Sequence, residues 1–325
     1  RLGGKGASGR NAQRNQRIEE HGLHVWPGFY ENAFRLMRQC YEELGRDPAA
    51  PLARWDQAFT PHHLVVVAEQ VDDEWKLWDF PAPPNGSLPG EATELPGLWD
   101  YFVGGLGLMV NWFHQALGVQ EPELAAVSAP RPGIVDRLMS LLEGGLGLFG
   151  ISGWADRLHL WRLKRLLRAA VAGAGELSER VMIDVARGLA ERLDPSAALR
   201  RRPVQELIVW LIDRSMSWLT AQLGSIAGVS DTVRRLWIQL DFARTSLRGV
   251  VADRVLERGF DALDNESFID WMRRHGASQL TLDSGLMRGL HDFMFAYENA
   301  DPNRPNMAAG VALRLILRLT FTYKG

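Results

Sequence analysis

The chain opens on Arg1-Leu2-Gly3-Gly4-Lys5-Gly6-Ala7-Ser8, and Glu19-Glu20-His21-Gly22-Leu23-His24 follows after a short polar interval. Adjacent glycines remove two Cβ atoms, so the backbone at Gly3 and Gly4 can approach a ligand closely and turn where other residues cannot. Successive turned amides form a concavity suited to an anion such as a pyrophosphate. Arg1 and Lys5 add positive charge on either side, and Ser8 adds a hydroxyl donor. Taken alone, the glycine string also reads as a mobile basic terminus. The second segment, in this order and at this distance, tips the balance toward a ligand-binding pair of loops.

The first segment is an R-x-G-G-[RK]-x-x-[ST] string. It resembles the loop that follows the dinucleotide-binding βαβ unit in FAD-dependent amine oxidases and phytoene-desaturase-like oxidoreductases. Gly22 and His24 resemble the E/D-x-G-x-H segment that passes the flavin ring in the desaturase branch. Leu263 to Gly276, Phe295 to Asn299, Ala308 to Arg314 and Phe321 to Gly325 also resemble stretches of that family, and the middle of the chain carries little of its signal. The resemblance implies FAD as cofactor, held by Arg1, Gly3, Gly4, Lys5, Ser8, Glu20, Gly22, Leu23 and His24. It assigns no catalytic side chain. In the family the G-x-G-x-x-G turn and the acidic ribose-binding residue lie upstream of the R-x-G-G loop, and the C-terminal flavin-binding segment lies later. The chain is therefore expected to be an internal fragment.

The expected fold is α+β and predominantly helical. It is a fragment of a two-domain, Rossmann-like FAD-binding flavoprotein whose substrate domain combines a small antiparallel sheet with helices. Four stretches follow from this. Residues 1–45 are a partial FAD-binding domain, 46–97 a hairpin and proline-rich loop, 98–295 a helical substrate domain, and 296–325 a return segment.

The local pattern supports this division. Phe34, Met37, Tyr41 and Leu44 recur at helical spacing over 32–44, with Gly45 as a stop. The β-branched run His63 to Glu69, the turn Asp72-Asp73 and the alternating Trp75 to Phe80 predict a β-hairpin. Pro81 to Pro96 is a loop. Helices are expected over 99–117, 134–143, 154–172, 178–192, 204–223, 231–240 and 267–275, with a capping-box variant at Ser267 and Asp270.

Three decoys are set aside. Gly145-Leu146-Gly147-Leu148-Phe149-Gly150 satisfies G-x-G-x-x-G, but the residues before it have helical rather than strand spacing. Gly-Gly-Leu-Gly-Leu occurs at 104–108 and 144–148 without repeating flanks, so it marks local helix packing rather than a solenoid. Arg200-Arg201-Arg202-Pro203 reads as a solvated helix start rather than a nucleic-acid patch.

Composition is that of a globular protein, with 46% hydrophobic and 23% charged residues. The net charge of −2 gives no global field for nucleic acid or for an anionic membrane. Cys40 is the only cysteine, so no disulfide can form within the chain. No apolar run reaches the roughly 20 residues of a spanning helix. His21 and His24, with His62 and His63, lack the carboxylate or thiolate partners of a metal site. A cytoplasmic protein without metal is expected; the apolar stretches Gly104–Met109 and Gly144–Ile151 are too short to span a membrane and read either as core or as a peripheral membrane contact.

In a flavoenzyme the isoalloxazine accepts the hydride, so the protein need only place the substrate and exclude water. The twelve tryptophans and a helical domain rich in Phe, Leu and Met suit an apolar, isoprenoid- or lipid-like substrate. Phe102, Met109, Trp112, Phe149, Trp154 and Trp161 are tunnel candidates. The alternatives are an amine-oxidase-like flavoprotein that oxidises a C–N bond, and a non-catalytic helical binding module.

Overall fold

The computed structural model describes residues 9–19, 25–81, 87–91, 96–120, 182–192, 202–223 and 230–322. These are predominantly helical, with two small antiparallel sheets. The chain divides into two compact units, one of residues 1–65, 80–95 and 318–325, the other of residues 66–79 and 96–317.

The first unit contains a two-stranded ribbon, β1 (Gly9–Asn11) and β2 (Arg17–Glu19), and helix α1 (Glu31–Leu44). A turn of 3-10 helix at Ala12–Arg14 closes the ribbon. Asn15 and Gln16, both with positive φ, reverse the chain. This ribbon was not expected, because the polar run from Arg10 to Arg17 has none of the β-branched alternation that marks a strand. Helix α1 ends at Gly45, whose φ of 53° suits a left-handed cap. Its inward face is the expected one except at the last residue. Phe34 is buried, Met37 and Tyr41 are half-buried, and Leu44 is exposed. Phe34 packs in an aromatic group with Trp26, Trp55 and Phe59 at centroid distances of 5.1–6.1 Å. Arg38 lies 4.4 Å over the Trp55 ring and pairs with Glu91 at 3.0 Å. Gly90, at φ 85°, lies against the backbone of Phe34 and Arg35, so a side chain there has neither room nor a relaxed backbone.

The hairpin is present as β3 (Leu64–Val71) and β4 (Glu74–Pro81). Its two-residue turn is Asp72-Asp73, at φ 52° and 63°, the left-handed pair whose twist matches a hairpin. One face carries Val67, Glu69 and Trp78. The other leaves Leu64, Val66, Trp75 and Leu77 exposed.

Among its described residues the second unit contains the helices α2 (Leu98–Gln120), α3 (Met182–Arg192), α4 (Arg202–Leu223) and α5 (Asp231–Ala252). α5 packs on α2 and α4, and α3 packs on α4 and α2, so the four close into a ring around one core. Leu106, Met109, Phe113, Met182, Ile183, Leu207, Ile208, Leu211 and Met216 fill it. Phe102 and Met109 belong to this packed core and Trp112 packs against it. Phe149, Trp154 and Trp161 lie outside the described residues, as do the helices expected over 134–143 and 154–172, the Gly145–Gly150 string and the second Gly-Gly-Leu-Gly-Leu copy.

The expectation that α5 ends at Leu240 is corrected, since it runs on to Ala252. Beyond it come α6 (Val255–Arg258), α7 (Phe268–Arg274), α8 (Gln279–Leu282), α9 (Gly285–Met294) and α10 (Ala309–Phe321). Three serines start successive helices: Ser267, Ser278 and Ser284 accept from Asp270, Thr281 and Met287 backbone N–H groups. Ser267 also donates to the Asp270 carboxylate at 2.7 Å, a side-chain pairing in place of the reciprocal backbone bond of the expected capping box. These elements surround a second core of Phe268, Trp271, Met272, Met287, Ala309 and Leu313.

Gly310 in α10 sits so close to the Phe260 carbonyl that a Cβ could not be accommodated, and the obstacle is backbone. Gly107 in α2 has open space where a Cβ would go. Gly310→Ala is expected to cost about 2 kcal/mol or more through forced backbone shifts. Gly107→Ala is expected to stabilise by roughly 0.5–1 kcal/mol by favouring the helix. Urea midpoints of the two variants check this. Equal effects would show that the α10 contact is not tight.

Candidate functional site

The described residues do not include any of the nine expected cofactor contacts: Arg1, Gly3, Gly4, Lys5, Ser8, Glu20, Gly22, Leu23 and His24. What is described is the ribbon that joins the two segments. β1 pairs antiparallel with β2 in the register Gly9↔Glu19, Arg10↔Ile18, Asn11↔Arg17. Ser8 precedes Gly9 and Glu20 follows Glu19, so both motif segments leave the chain at the same end of one ribbon. The Gly9–Glu19 pair holds the two departure points at cross-strand distance, about 5 Å between Cα atoms. The ribbon is tied further by Asn11, whose amide donates to the Glu19 carboxylate at 2.9 Å, and by the Gln16 N–H to Asn11 carbonyl bond at 3.0 Å.

Within the second unit, candidate clusters of titratable side chains among the described residues lie at three places, apart from the Asp241–Thr281 and Arg244–Asp213 pairs. The first is at the start of α5. Glu69, 5% exposed, accepts from Arg234 at 2.6 Å and Arg235 at 2.8 Å. Lys76 pairs with Asp231 at 2.5 Å, and Arg235 lies 5.5 Å from the centre of the Trp78 ring. The hydrogen bond from Lys76 holds the Asp231 carboxyl below its ordinary range. Gly285 and Gly289 let α9 lie directly on Glu69 and Val67. Every strong donor here is committed to an ion pair, so this arrangement docks the hairpin rather than offering a reactive group.

The second place is the end of α5. Asp253 Oδ2 accepts from the Trp271 indole at 2.8 Å, His275 Nε2 at 2.9 Å and Arg274 at 2.8 Å. Arg274 also donates to both oxygens of Glu266, at 2.9 and 2.6 Å. Burial pushes the Asp253 carboxyl up, but the hydrogen bonds from Arg274, His275 and Trp271 outweigh it and hold the group at about 2. The two carboxylates raise the Arg274 guanidinium above its already high ordinary value. A cavity of about 210 Å³ opens here, lined by Asp253, Arg258, Ala262, Leu263, Asn265, Glu266 and Arg274. With Asp253 and Arg274 saturated by each other and by Glu266, neither is free to act on a substrate.

The third place joins α2 to α3, where His114 Nε2 lies 3.0 Å from Asp184 Oδ1. None of these groups was singled out in the sequence. Their partners are distant along the chain, and only the carboxylate and arginine identities were visible. His62 and His63 are exposed, His21 lies outside the described residues, and no group of three metal-ligating side chains occurs among the described residues. No helix of the described residues is long and apolar enough to cross a membrane.

No protein-family model, no curated protein and no solved structure matches this chain.

The Asp253 cluster has a measurable consequence. Its carboxyl is ionised down to about pH 2 in the folded chain, against an ordinary value of 3.8. The stability it contributes is complete above about pH 4 and is lost as pH falls toward about 2, an effect of roughly 1–2 kcal/mol. Asp253→Asn should destabilise at neutral pH by about 1–3 kcal/mol and flatten this acid limb. Unfolding free energies compared between pH 4 and the onset of acid unfolding check it. Parallel limbs for variant and parent would show that Asp253 titrates as an ordinary carboxyl.

Proposed function

We propose that this protein is an FAD-dependent oxidoreductase of the desaturase or dehydrogenase type, acting on an apolar isoprenoid- or lipid-like substrate. The observation that carries the reading is the Gly9↔Glu19 pair. Two segments that resemble flavin-contacting loops depart from one end of one ribbon, as two loops that serve one ligand must.

The donor set suits the cofactor. Gly3 and Gly4 allow close backbone approach, Arg1 and Lys5 neutralise phosphate charge, and Ser8 donates a hydroxyl hydrogen. FAD supplies a two-electron acceptor for hydride. The chain's own contribution is to position the substrate and keep water away. Methionines such as Met109 and Met216 in the packed core of the bundle are of the flexible, apolar kind that would suit such a substrate.

The test is flavin content measured beside circular dichroism in the intact protein. Gly4→Val should lose flavin while keeping the helical spectrum, because a β-branched side chain blocks backbone approach at that turn. Lys5→Ala should weaken FAD binding by roughly the 1.5–3 kcal/mol of a charged hydrogen bond. Full flavin occupancy in Gly4→Val would remove the main support for the reading. A protein that never carries flavin would favour the non-catalytic binding module. Flavin reduction by amines, and not by isoprenoids, would favour the amine-oxidase alternative.

A further inference from the structure

We propose that the outward face of helix α1 pairs two copies of this chain, antiparallel about a two-fold axis that passes at Cys40. The pairing needs no cofactor and stands apart from the flavin reading.

Leu36, Cys40 and Leu44 recur at intervals of four, so they form one row along the helix. Leu36 is 61% exposed, Leu44 is 59% exposed, and Cys40 is exposed. On one side the row adjoins Met37 and Tyr41, which are half-buried and lead to the packed face. On the other side Arg35, Gln39 and Glu43 form a second exposed row. Arg35 donates to the Asn32 amide oxygen at 3.3 Å, and Glu43 accepts from the Gln39 amide at 3.1 Å. Neither charge has a counter-ion among the described residues. The last turn of α1 holds Glu42 and Glu43 and no basic residue. Carboxylates there face the negative end of the helix dipole, which disfavours them.

These features complement themselves. A two-fold axis that lies in the contact plane and crosses α1 at Cys40 sets residues equally far before and after it against each other. Leu36 of each copy then meets Leu44 of the other, and the two Cys40 side chains meet at the centre. The two charged rows fall on the same side of the contact. At about 1.5 Å of rise per residue, Arg35 of each copy is displaced only about 3 Å along the axis from Glu43 of the other, within a salt bridge's reach. The helix dipoles run opposed, so each acidic last turn approaches the positive half of its partner. A parallel pair would set Arg35 level with Arg35 and Glu43 level with Glu43, and the match would be lost. Three apolar side chains from each copy make a small contact, so the dimer belongs with the weak, transient interfaces.

The experiment is sedimentation velocity of the intact protein over a range of concentrations, with and without a short bismaleimide. A concentration-dependent dimer is expected, and the reagent should join two chains through Cys40, the only cysteine of the chain. Cys40→Ser should remove the cross-link and keep the dimer. Leu36→Asp, at an exposed position, should keep the helical circular dichroism spectrum and leave the chain monomeric. Arg35→Glu should weaken the dimer about ten-fold, because both equivalent pairs become repulsive. Adding Glu43→Arg to it should restore the affinity. A chain that stays monomeric at its highest soluble concentration would leave the row to a different partner and overturn the proposal. So would a dimer that Leu36→Asp leaves intact, one that the reagent does not cross-link, or a charge-exchanged double variant no tighter than Arg35→Glu alone.

Discussion

The second unit depends on how helix α5 receives the Trp271 ring. Trp271 is fully buried, and its indole lies against Gly249 so closely that a Cβ at that position would collide with it. Glycine in the middle of a long helix costs about 1 kcal/mol relative to alanine. Here the missing side chain creates the seat in which the largest side chain of the second core rests. The indole N–H then reaches the Asp253 carboxylate one turn further on. Through this contact α5 belongs to both cores at once. Leu236, Leu240 and Leu247 face the four-helix ring, and Phe242 faces the cluster around Phe268 and Met287.

This shared helix carries polar groups on buried faces; the Thr245 hydroxyl and Trp237 indole N–H have no hydrogen-bond partner among the described residues, whereas the carboxylate of Asp241 is answered from elsewhere. Asp241, 2% exposed, accepts from the Thr281 hydroxyl at 2.6 Å and the Ser278 backbone N–H at 2.8 Å, which also fixes the start of α8. Glu69 takes two arginines of the first turns of α5, and Asp253 takes three donors at the end. A buried carboxylate left without partners costs several kcal/mol. These three therefore specify which elements meet α5, and where, more sharply than apolar packing alone would.

These requirements explain which parts of the fold were legible. Helices α2 and α4 and the β3–β4 hairpin announce themselves by local period and by the Asp72-Asp73 turn. The continuation of α5 past Leu240 was not legible because Asp241 interrupts the apolar pattern. Its partners, Ser278 and Thr281, stand about forty positions away, and nothing local reveals them. The face of α1 was legible as well: Phe34, Met37 and Tyr41 lie inward, with Phe34 against Trp26, Trp55 and Phe59, and only Leu44 in the last turn is exposed. The short helices α8 and α9 depend on single serine caps, which a pattern built on apolar period does not weigh.

The candidate cofactor loops show the opposite division. The sequence offers a chemistry for them, through glycine pairs, basic residues and the Gly22-Leu23-His24 string, while the described part is the ribbon between them, which no pattern announced because it is nearly all polar. Its pairing comes from two left-handed residues, Asn15 and Gln16, together with the Asn11–Glu19 bond. Strand register has a period of two, so a slip by one residue would turn Arg10 and Ile18 to the opposite face and replace the Gly9↔Glu19 pair at the base. The same register therefore decides two things: which residues adjoin the motif segments, and which side chains the ribbon presents to solvent.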